Sequence, residues 1–196
     1  TNSGAILISI LEAGFAEQTI NKSRFIAAAL PCADEREIGA ALRAFAAQHP
    51  TAHHLAYGFR IKTTDGIIPR FSDAGEPSGT AGMPILKHIE GRDFINVCVA
   101  VIRYYGGINL GTGGLVRAYG GTAKLALDAS KTAEYVEMRS YPLTISYKQM
   151  DMLTNVLPKC NGTILSKSFN AQVDLVLSLP VNEAENFLNR FKPYGS

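Results

Sequence analysis

The glycine-rich stretch RYYGGINLGTGGLVRAYGG runs from Arg103 to Gly121 and follows the apolar run FINVCVAVI, residues 94–102. It contains seven glycines, three tyrosines and two arginines. The apolar run predicts a central strand of a sheet, and a helix is predicted from about Gly114 to Ala133. A phosphate cradle, a nucleic-acid surface and a tight structural crossover are three interpretations of this strand–loop–helix corner.

Known nucleotide-binding motifs do not account for these glycines. A Walker loop needs Gly-Lys-Ser/Thr, which is absent here, and Val116 occupies the sixth position of GTGGLV, where GxGxxG requires glycine. Gly120 and Gly121 lie inside the predicted helix, where each costs about 1 kcal/mol relative to alanine. Close packing is therefore the favoured explanation for that pair. Structural and ligand-binding roles both stay open for the loop glycines Gly106, Gly107, Gly113 and Gly114.

The sequence before this corner alternates between strand and helix patterns. Asp34 is a good N-cap for EREIGAALRAFAAQ, which predicts an amphipathic helix ending at His49–Pro50. The stretch from Pro69 to Pro84 lacks apolar periodicity and predicts a long loop, a feature that is often functional. Further predicted elements are a strand over Lys22–Cys32, a strand over His53–Lys62, an Asp65–Gly66 turn and a short helix closed by Gly91.

The pattern changes near Glu134. A strand, a helix, two strands and a helix are predicted over the last sixty or so residues. This βαββα order is the ferredoxin-like pattern without its last strand, which we expect to lie outside the given sequence. We therefore predict an α+β fold with two domains, residues 1–134 and 135–196.

Composition sets limits on the class of protein. The 196 residues are 46% hydrophobic and 18% charged, with a net charge of +2, which is ordinary for a globular protein and too small to indicate nucleic-acid binding alone. No apolar run approaches the ~20 residues of a membrane helix. Cys32, Cys98 and Cys160 lie in apolar runs without a CxxC pair. They predict buried free thiols in a reducing cytosol and no structural zinc.

Basic and aromatic residues border the glycine loop. Arg103, Tyr104 and Tyr105 end the preceding strand, while Arg117 and Lys124 are seven residues apart and share one helix face. Arginine beside aromatic rings is typical of RNA binding, because rings stack on bases and cations neutralise phosphates. The alternative is that the tyrosines are half-buried wall residues and the cations are simply solvated.

Two histidines and two carboxylates form a second candidate group. His53 and His54 begin a predicted strand, and Asp73 and Glu76 lie in the long loop. They suggest a divalent metal or an acid/base pair. However, adjacent histidines on a strand point to opposite faces, and no HExxH spacing exists. Asp73 could instead accept hydrogen bonds from amides of its own loop.

Three motifs resemble the YigZ/IMPACT family: KSRF, FSDAGEPSGTAGMPIL and VIRYYGGINLGTGGLVRAYGG. The similarity extends over residues 20–130, and the C-terminal sixty residues look like the small second domain of bacterial members. The resemblance implies a first domain like domain 2 of a small-subunit ribosomal protein and domain IV of elongation factor G. It implies a second domain like the ferredoxin-like domain V of that factor.

The resemblance also implies a function. Eukaryotic members regulate translation by blocking activation of an initiation-factor kinase. We therefore expect a cytoplasmic, non-enzymatic binding or regulatory protein without cofactor, whose partner is RNA or a ribosome-associated component. The alternatives are a hydrolase-type enzyme using His53 or His54 with Asp73 and Glu76, and a protein-interaction regulator without nucleic acid. Some bacterial members are labelled proline dipeptidases, but this sequence has no metallopeptidase ligand set.

Site residues follow from the resemblance and the cluster around the loop. The sequence has Asp73-Ala74 where family members often have two aspartates, which weakens a two-carboxylate metal site. We predict no catalytic residue and no metal ligand. The predicted anion- or RNA-binding surface consists of Lys22, Arg24, His53, His54, Asp73, Glu76, Arg103, Tyr104, Tyr105, Gly106, Gly107, Gly113, Gly114, Arg117 and Lys124.

Overall fold

A computed structural model describes residues 6–192 and divides the chain into two compact units, which meet in sequence between Tyr135 and Val136. Both units combine helices with antiparallel strands, which confirms the predicted two-domain α+β fold. Within residues 6–192, no helix has the length and apolar character needed to span a membrane.

The N-terminal unit is built on a five-stranded antiparallel sheet with the strand order β2-β3-β6-β4-β5, beside a two-stranded sheet of β1 and β7. Its elements are β1 (Ile8–Glu12), β2 (Gly14–Ile20), β3 (Ser23–Pro31), α1 (Glu35–Gln48), β4 (His54–Thr63), β5 (Gly66–Ser72), α2 (Gly82–Gly91), β6 (Val97–Tyr104), α3 (Gly111–Ala129) and β7 (Lys131–Glu134).

The central strand β6 has helices on both of its faces. Val99 and Val101 pack into a cluster with α2 and α3. Ala100 and Ile102 pack on the other face with Phe45 of α1. Because both faces are buried, β6 reads as a continuous apolar run, and its predicted central position is confirmed.

Local chemistry explains several boundaries. Asp34 caps α1 by accepting a hydrogen bond from the Glu37 backbone N–H at 2.8 Å, as predicted. A two-residue turn joins β2 to β3, with positive φ values of 46° at Asn21 and 67° at Lys22. Two positive φ values are typical of the type I′ turn, which matches the twist of a hairpin.

The structure corrects several predicted boundaries. The predicted loop over Pro69–Pro84 is shorter, because β5 continues to Ser72 and α2 begins at Gly82. The predicted helix over Gly114–Ala133 begins earlier, at Gly111, and ends at Ala129. Four strands, β1, β2, β5 and β7, were not predicted. They are short or half polar, and only their partners in the sheet specify them.

The C-terminal unit is a three-stranded antiparallel sheet with the order β8-β10-β9 and helices on one face. Its strands and helices confirm the predicted βαββα order, although the predicted first helix is only seven residues long. Its elements are β8 (Met138–Ile145), α4 (Met150–Val156), β9 (Thr163–Phe169), β10 (Val173–Pro180) and α5 (Val181–Asn189), with single 3-10 turns on either side of α4.

Candidate functional site

A buried carboxylate, Glu76, is the centre of a polar cluster where β6 ends and β4 begins. Arg103 donates from Nη1 to both Glu76 oxygens, at 3.0 and 2.8 Å, and Tyr119 donates its OH to Oε2 at 2.7 Å. His54 Nε2 lies 3.2 Å from Oε1. The side chains of Glu76 and Arg103 are only 5% and 6% exposed. We call Glu76, Arg103, His54 and Tyr119 the Glu76 cluster.

Arg103 is fully occupied inside the protein. Its Nε and Nη2 donate to Ser23 Oγ at 3.4 and 3.3 Å, and its guanidinium lies 5.7 Å from the Phe25 ring centroid. The prediction that Arg103 neutralises phosphate at the surface is therefore wrong. The reason is its register in β6: Arg103 continues the series Val99 and Val101, whose side chains face α2 and α3.

The adjacent histidines diverge, as the alternation of side chains along a strand predicts. His54 Nδ1 is 2.8 Å from the Ala74 carbonyl oxygen, and its Nε2 faces Glu76. His53 is exposed, and its Nδ1 accepts a hydrogen bond from the Tyr105 backbone N–H at 3.1 Å. His54 therefore belongs to the Glu76 cluster, whereas His53 binds the backbone of Tyr105 at the surface.

Asp73 stabilises the loop 73–81 and the first turn of α2. It accepts hydrogen bonds from the backbone N–H groups of Gly79, Ala81 and Gly82, at 2.9, 3.1 and 2.8 Å. Burial raises the pKa of Asp73, but these hydrogen bonds lower it by more, so the net pKa is below its ordinary value. Asp73 therefore accepts hydrogen bonds from amides of its own loop, which was the alternative interpretation of this residue.

The four residues of the hydrolase hypothesis do not converge on one cleft. Only His54 and Glu76 meet, while His53 and Asp73 are bound elsewhere. Across residues 6–192, no three His, Cys, Asp or Glu side chains are placed to hold a metal ion. The geometry gives this hypothesis no support.

Tyr119 also belongs to the cluster, although it was not among the predicted site residues. Burial raises the pKa of the Tyr119 hydroxyl, and the hydrogen bond to Glu76 raises it further, so the hydroxyl stays a donor. The only signal in the sequence was its position on the buried face of the predicted helix. Ser23 was also not predicted, because its partner Arg103 is 80 residues away in the sequence.

The loop glycines differ in what they do. A Cβ on Gly106 would lie 2.0 Å from the Lys22 carbonyl oxygen, so Gly106 is required for packing. Gly107 has a φ of +89° and open space around it. A Cβ on Gly113 would meet only the end of the Arg117 side chain, at 3.3 Å. Gly114 is tighter, with Leu110 Cβ at 3.1 Å. Gly107 and Gly113 therefore leave bare backbone at the surface.

The two mid-helix glycines also differ. A Cβ on Gly120 would lie 3.2 Å from His88 Nε2 and 3.4 Å from Pro84 Cβ, so Gly120 permits α3 to pack against α2. This packing role matches the prediction. A Cβ on Gly121 would meet only Gln18 Nε2 at 3.7 Å, an ordinary contact. Packing within the N-terminal unit therefore explains Gly120 but not Gly121.

Tyr105 is an exposed ring that is held in place. Its OH donates to Asn109 Oδ1 at 2.9 Å, its backbone N–H donates to His53, and the Arg103 guanidinium lies 5.3 Å from its ring centroid. The residue is still 42% exposed. The ring is thus fixed on its inner side and open on its outer side.

Two exposed cations lie beside the glycine loop. Lys22 contacts Gly106, and Arg117 follows Gly113 by one helical turn. Neither side chain has a hydrogen-bond or ion-pair partner within the described residues 6–192. We call Lys22, Tyr105, Gly107, Gly113 and Arg117 the glycine-loop surface.

The remaining predicted residues lie outside this surface. Arg24 forms an ion pair with Glu17 and lies over the Tyr104 ring, 5.7 Å from its centroid. The Tyr104 hydroxyl is 2.8 Å from His49 Nδ1, so Tyr104 faces α1 on the other side of the sheet. Lys124 lies further along α3. The pKa of His88 is lowered mainly by burial and secondly by the Lys124 charge.

Known proteins share this architecture. The family model described as the Impact N-terminal domain matches residues 21–127, and a domain of unknown function, DUF1949, matches residues 143–192. An IMPACT family member from Haemophilus influenzae is 37% identical over 172 residues, which cover 87% of this chain and 84% of that protein. The IMPACT family member YigZ from Escherichia coli is 36% identical over 171 residues, with the same coverage of 87% and 84%.

A solved structure agrees with these relatives. A crystal structure described as that of a hypothetical protein superposes with a TM-score of 0.69 at 33% identity, over 94% of this chain and 90% of the other. The match at this identity extends through both units. The chain therefore belongs to the IMPACT family.

Proposed function

We propose that this protein is a non-enzymatic, cytoplasmic binding protein that contacts single-stranded RNA through the glycine-loop surface and acts in the regulation of translation. The observation that carries the proposal is Tyr105. An aromatic ring that is 42% exposed and fixed from below by three contacts is a ready stacking platform. Stacking of a base on such a ring contributes about 1–3 kcal/mol.

The backbone and cations around Tyr105 suit the phosphates of the same ligand. Lys22 and Arg117 are exposed and without partners among residues 6–192, so binding a phosphate breaks no ion pair. Helix α3 begins at Gly111, and no side chain caps its N-terminal N–H groups. Uncapped N–H groups at a helix start favour negative charge. Bare backbone at Gly113 lets a phosphate approach closely.

Family membership supports the link to translation. The eukaryotic members that this chain resembles regulate translation, and the resemblance implies a fold like that of domains that act on the ribosome. One fold can carry many unrelated functions, so function is argued from the residues of the site. The site therefore carries the proposal, and the family suggests where in the cell to test it.

The direct test is fluorescence anisotropy with a labelled single-stranded RNA over a range of salt concentrations. We expect Tyr105→Ala to weaken binding by one to two orders of magnitude, the equivalent of the stacking energy of about 1–3 kcal/mol. Tyr105→Phe keeps the ring and should bind almost as tightly as the wild type. We expect Lys22→Ala and Arg117→Ala each to reduce the slope of log K against log salt by about 0.7.

Arg24→Ala is the matched control, because Arg24 is an exposed cation that is already paired with Glu17. It should leave the affinity and the salt dependence unchanged. Absence of salt-dependent RNA binding by the wild-type protein would refute the proposal. An equal loss in Arg24→Ala would show a diffuse charge effect that does not involve the glycine-loop surface.

Ribosome association is tested separately by co-sedimentation with ribosomes from a cell lysate. We expect the protein to pellet with ribosomes and to be released by RNase. Recovery that resists RNase and survives Tyr105→Ala would support the protein-interaction regulator instead.

A further inference from the structure

A groove of about 340 Å³ lies between α2 and α3. Its charged and titratable side chains are Lys87 and His88 from α2 and Arg117 from α3. Gly120 and Gly121 also line it, and they add no side chains. Among residues 6–192, no aspartate or glutamate lines the groove. Both walls of the groove therefore carry basic groups, and no acidic group opposes them.

The protein does not neutralise the cations of this groove. Lys87 and Arg117 have no ion-pair or hydrogen-bond partner in the part of the chain that the structure describes, and the same holds for the exposed Lys124 further along α3. Asp128, on the same helix, is already paired with Arg92 at 2.7 Å. Unpaired cations around one groove raise its potential and attract an anion.

His88 is an unpartnered imidazole in this positive environment. Within residues 6–192 neither of its ring nitrogens has a hydrogen-bond partner, and neither is sealed from solvent. A Cβ on Gly120 would lie 3.2 Å from His88 Nε2, so the ring lies against bare helix backbone. Burial lowers the pKa of His88 and the charges of Lys124 and Arg92 lower it further, while Asp128 opposes them. At neutral pH the ring is therefore neutral in the free chain.

The other elements that pack on α2 bring no charge to His88. Strands β4, β5 and β6 contact α2 through an apolar cluster and through backbone atoms. On α2 itself, Glu90 is two residues from His88, and side chains two residues apart do not face each other on a helix. The charges that act on His88 thus come from α3 and from the end of α2.

We propose that this groove binds a phosphate of the same RNA strand that stacks on Tyr105, with Lys87, His88 and Arg117 as the groups that hold it. The inference rests on the proposed function, because Arg117 belongs both to the groove and to the glycine-loop surface. Charge-assisted hydrogen bonds to phosphate are about twice as strong as neutral ones. The unpaired cations and the absence of a lining carboxylate favour a phosphate over any neutral ligand.

The course of α3 joins the groove to the glycine-loop surface. Gly120 follows Gly113 by seven residues, which is about 10 Å along a helix axis. An RNA strand that leaves the glycine-loop surface along α3 therefore enters the groove directly. The backbone at Gly121 is bare there, although packing within the N-terminal unit does not require a glycine. A bare backbone permits close approach of a ligand.

Phosphate binding is expected to protonate His88. The phosphate places a negative charge beside the ring, which favours the imidazolium form and raises the pKa of His88 in the complex. The proton comes from solvent. A group whose pKa is higher in the complex than in the free chain makes binding tighter as the pH falls. RNA should therefore bind more tightly at about pH 5.5 than at about pH 7.5.

The direct test is an NMR titration of the His88 imidazole in the full chain, with and without a saturating single-stranded oligouridylate. Uracil does not titrate between about pH 5.5 and pH 7.5, so the protein alone supplies the change. We expect a higher pKa of His88 in the complex. An unchanged pKa, in a complex that Tyr105→Ala still weakens, refutes this inference and leaves the proposed function intact. Absence of any RNA binding refutes the proposed function itself. An oligoglutamate peptide that raises the pKa of His88 where the RNA does not would assign the groove to an acidic protein segment and overturn the inference.

Variants test the same site through affinity. We expect the wild type to bind oligouridylate about tenfold more tightly at pH 5.5 than at pH 7.5, as one charged hydrogen bond gains, and His88→Gln to lose this difference. His49→Gln is the matched control, because His49 is bonded to Tyr104 on the other side of the sheet. It should keep the difference.

The salt dependence provides a second readout. Lys87→Ala should reduce the slope of log K against log salt by about 0.7. Arg36→Ala removes an exposed cation of α1, on the other face of the sheet, and should leave the slope unchanged. A His88→Gln variant with the wild-type pH dependence, or a Lys87→Ala variant with the wild-type slope, contradicts the assignment of the groove.

Discussion

Removal of the Glu76 carboxylate is expected to destabilise the N-terminal unit strongly. The change Glu76→Ala takes away both acceptors of Arg103 Nη1 and the acceptor of the Tyr119 hydroxyl. The Arg103 side chain is 6% exposed, so its charge stays buried, and Ser23 is the only hydrogen-bond acceptor left to it among residues 6–192. Breaking a buried ion pair by removal of one partner costs about 3–5 kcal/mol.

Two further variants separate the contributions of the hydrogen bond and of the buried charge to this loss of unfolding free energy. Tyr119→Phe removes only one hydrogen bond to a charged group, so we expect a smaller cost of about 1.5–3 kcal/mol. Replacement of both charges, as in Glu76→Leu with Arg103→Met, leaves no uncompensated charge. Replacing a buried pair by apolar residues is often close to neutral. The double variant should therefore be more stable than Glu76→Ala.

Native-state amide hydrogen exchange is the suitable assay, because it reports on each unit separately. In Glu76→Ala we expect faster exchange in β3, β4 and β6, with unchanged exchange in β8 and β10 as an internal control. A loss below about 1 kcal/mol, the level of an ordinary surface pair, would refute the argument that Arg103 depends on Glu76. So would a double variant as unstable as the single one.

Three further changes test the loop and the thiols. The pKa of Asp73 is lowered in the folded chain, so the ionised side chain contributes stability at neutral pH, and this contribution is lost as the pH falls below about 4. In urea unfolding, Asp73→Asn should therefore lower the free energy of unfolding by about 1 kcal/mol at pH 7 and leave it unchanged at low pH. Gly106→Ala should lower the melting temperature sharply, because its Cβ would meet a carbonyl oxygen at 2.0 Å. Gly113→Ala should raise the free energy of unfolding by up to about 1 kcal/mol and weaken RNA binding. A Gly113→Ala variant that is less stable than Gly106→Ala would contradict the roles assigned to these glycines. Burial raises the pKa of the Cys32 thiol to about 11, so mass spectrometry after alkylation of the native chain should show Cys160 modified well before Cys32; equal rates would contradict this.

The Glu76 cluster and the glycine-loop surface have different roles but share one corner of the fold. The guanidinium of Arg103 lies beneath Tyr105, so the buried pair with Glu76 also supports the exposed ring. A substitution at Arg103 would therefore change both stability and the proposed binding. For this reason the binding tests use Lys22, Tyr105 and Arg117, which lie at the surface.

Strong local patterns were predictable from the sequence. The continuous apolar run of β6, the capped amphipathic helix α1 and the βαββα order of the C-terminal unit each leave a periodic signal within a short window. Strand β2 leaves no such signal, because it is an edge strand with one solvent-facing side and a glutamine under α3. Edge strands are specified by their neighbours more than by their own composition.

The sequence by itself determined the family, the two α+β domains and the corner at which basic, aromatic and glycine residues meet. It did not determine which of these residues reach solvent. That depended on the register of β6, which turns Arg103 toward the helices, and on contacts such as Arg103 to Glu76 and to Ser23, which are 27 and 80 residues apart. Side chains alternate between the faces of a strand, so a one-residue change of register would turn Arg103 toward α1 and separate it from Glu76. Only the tertiary structure could therefore separate the polar cluster that holds the fold from the surface that is free to bind.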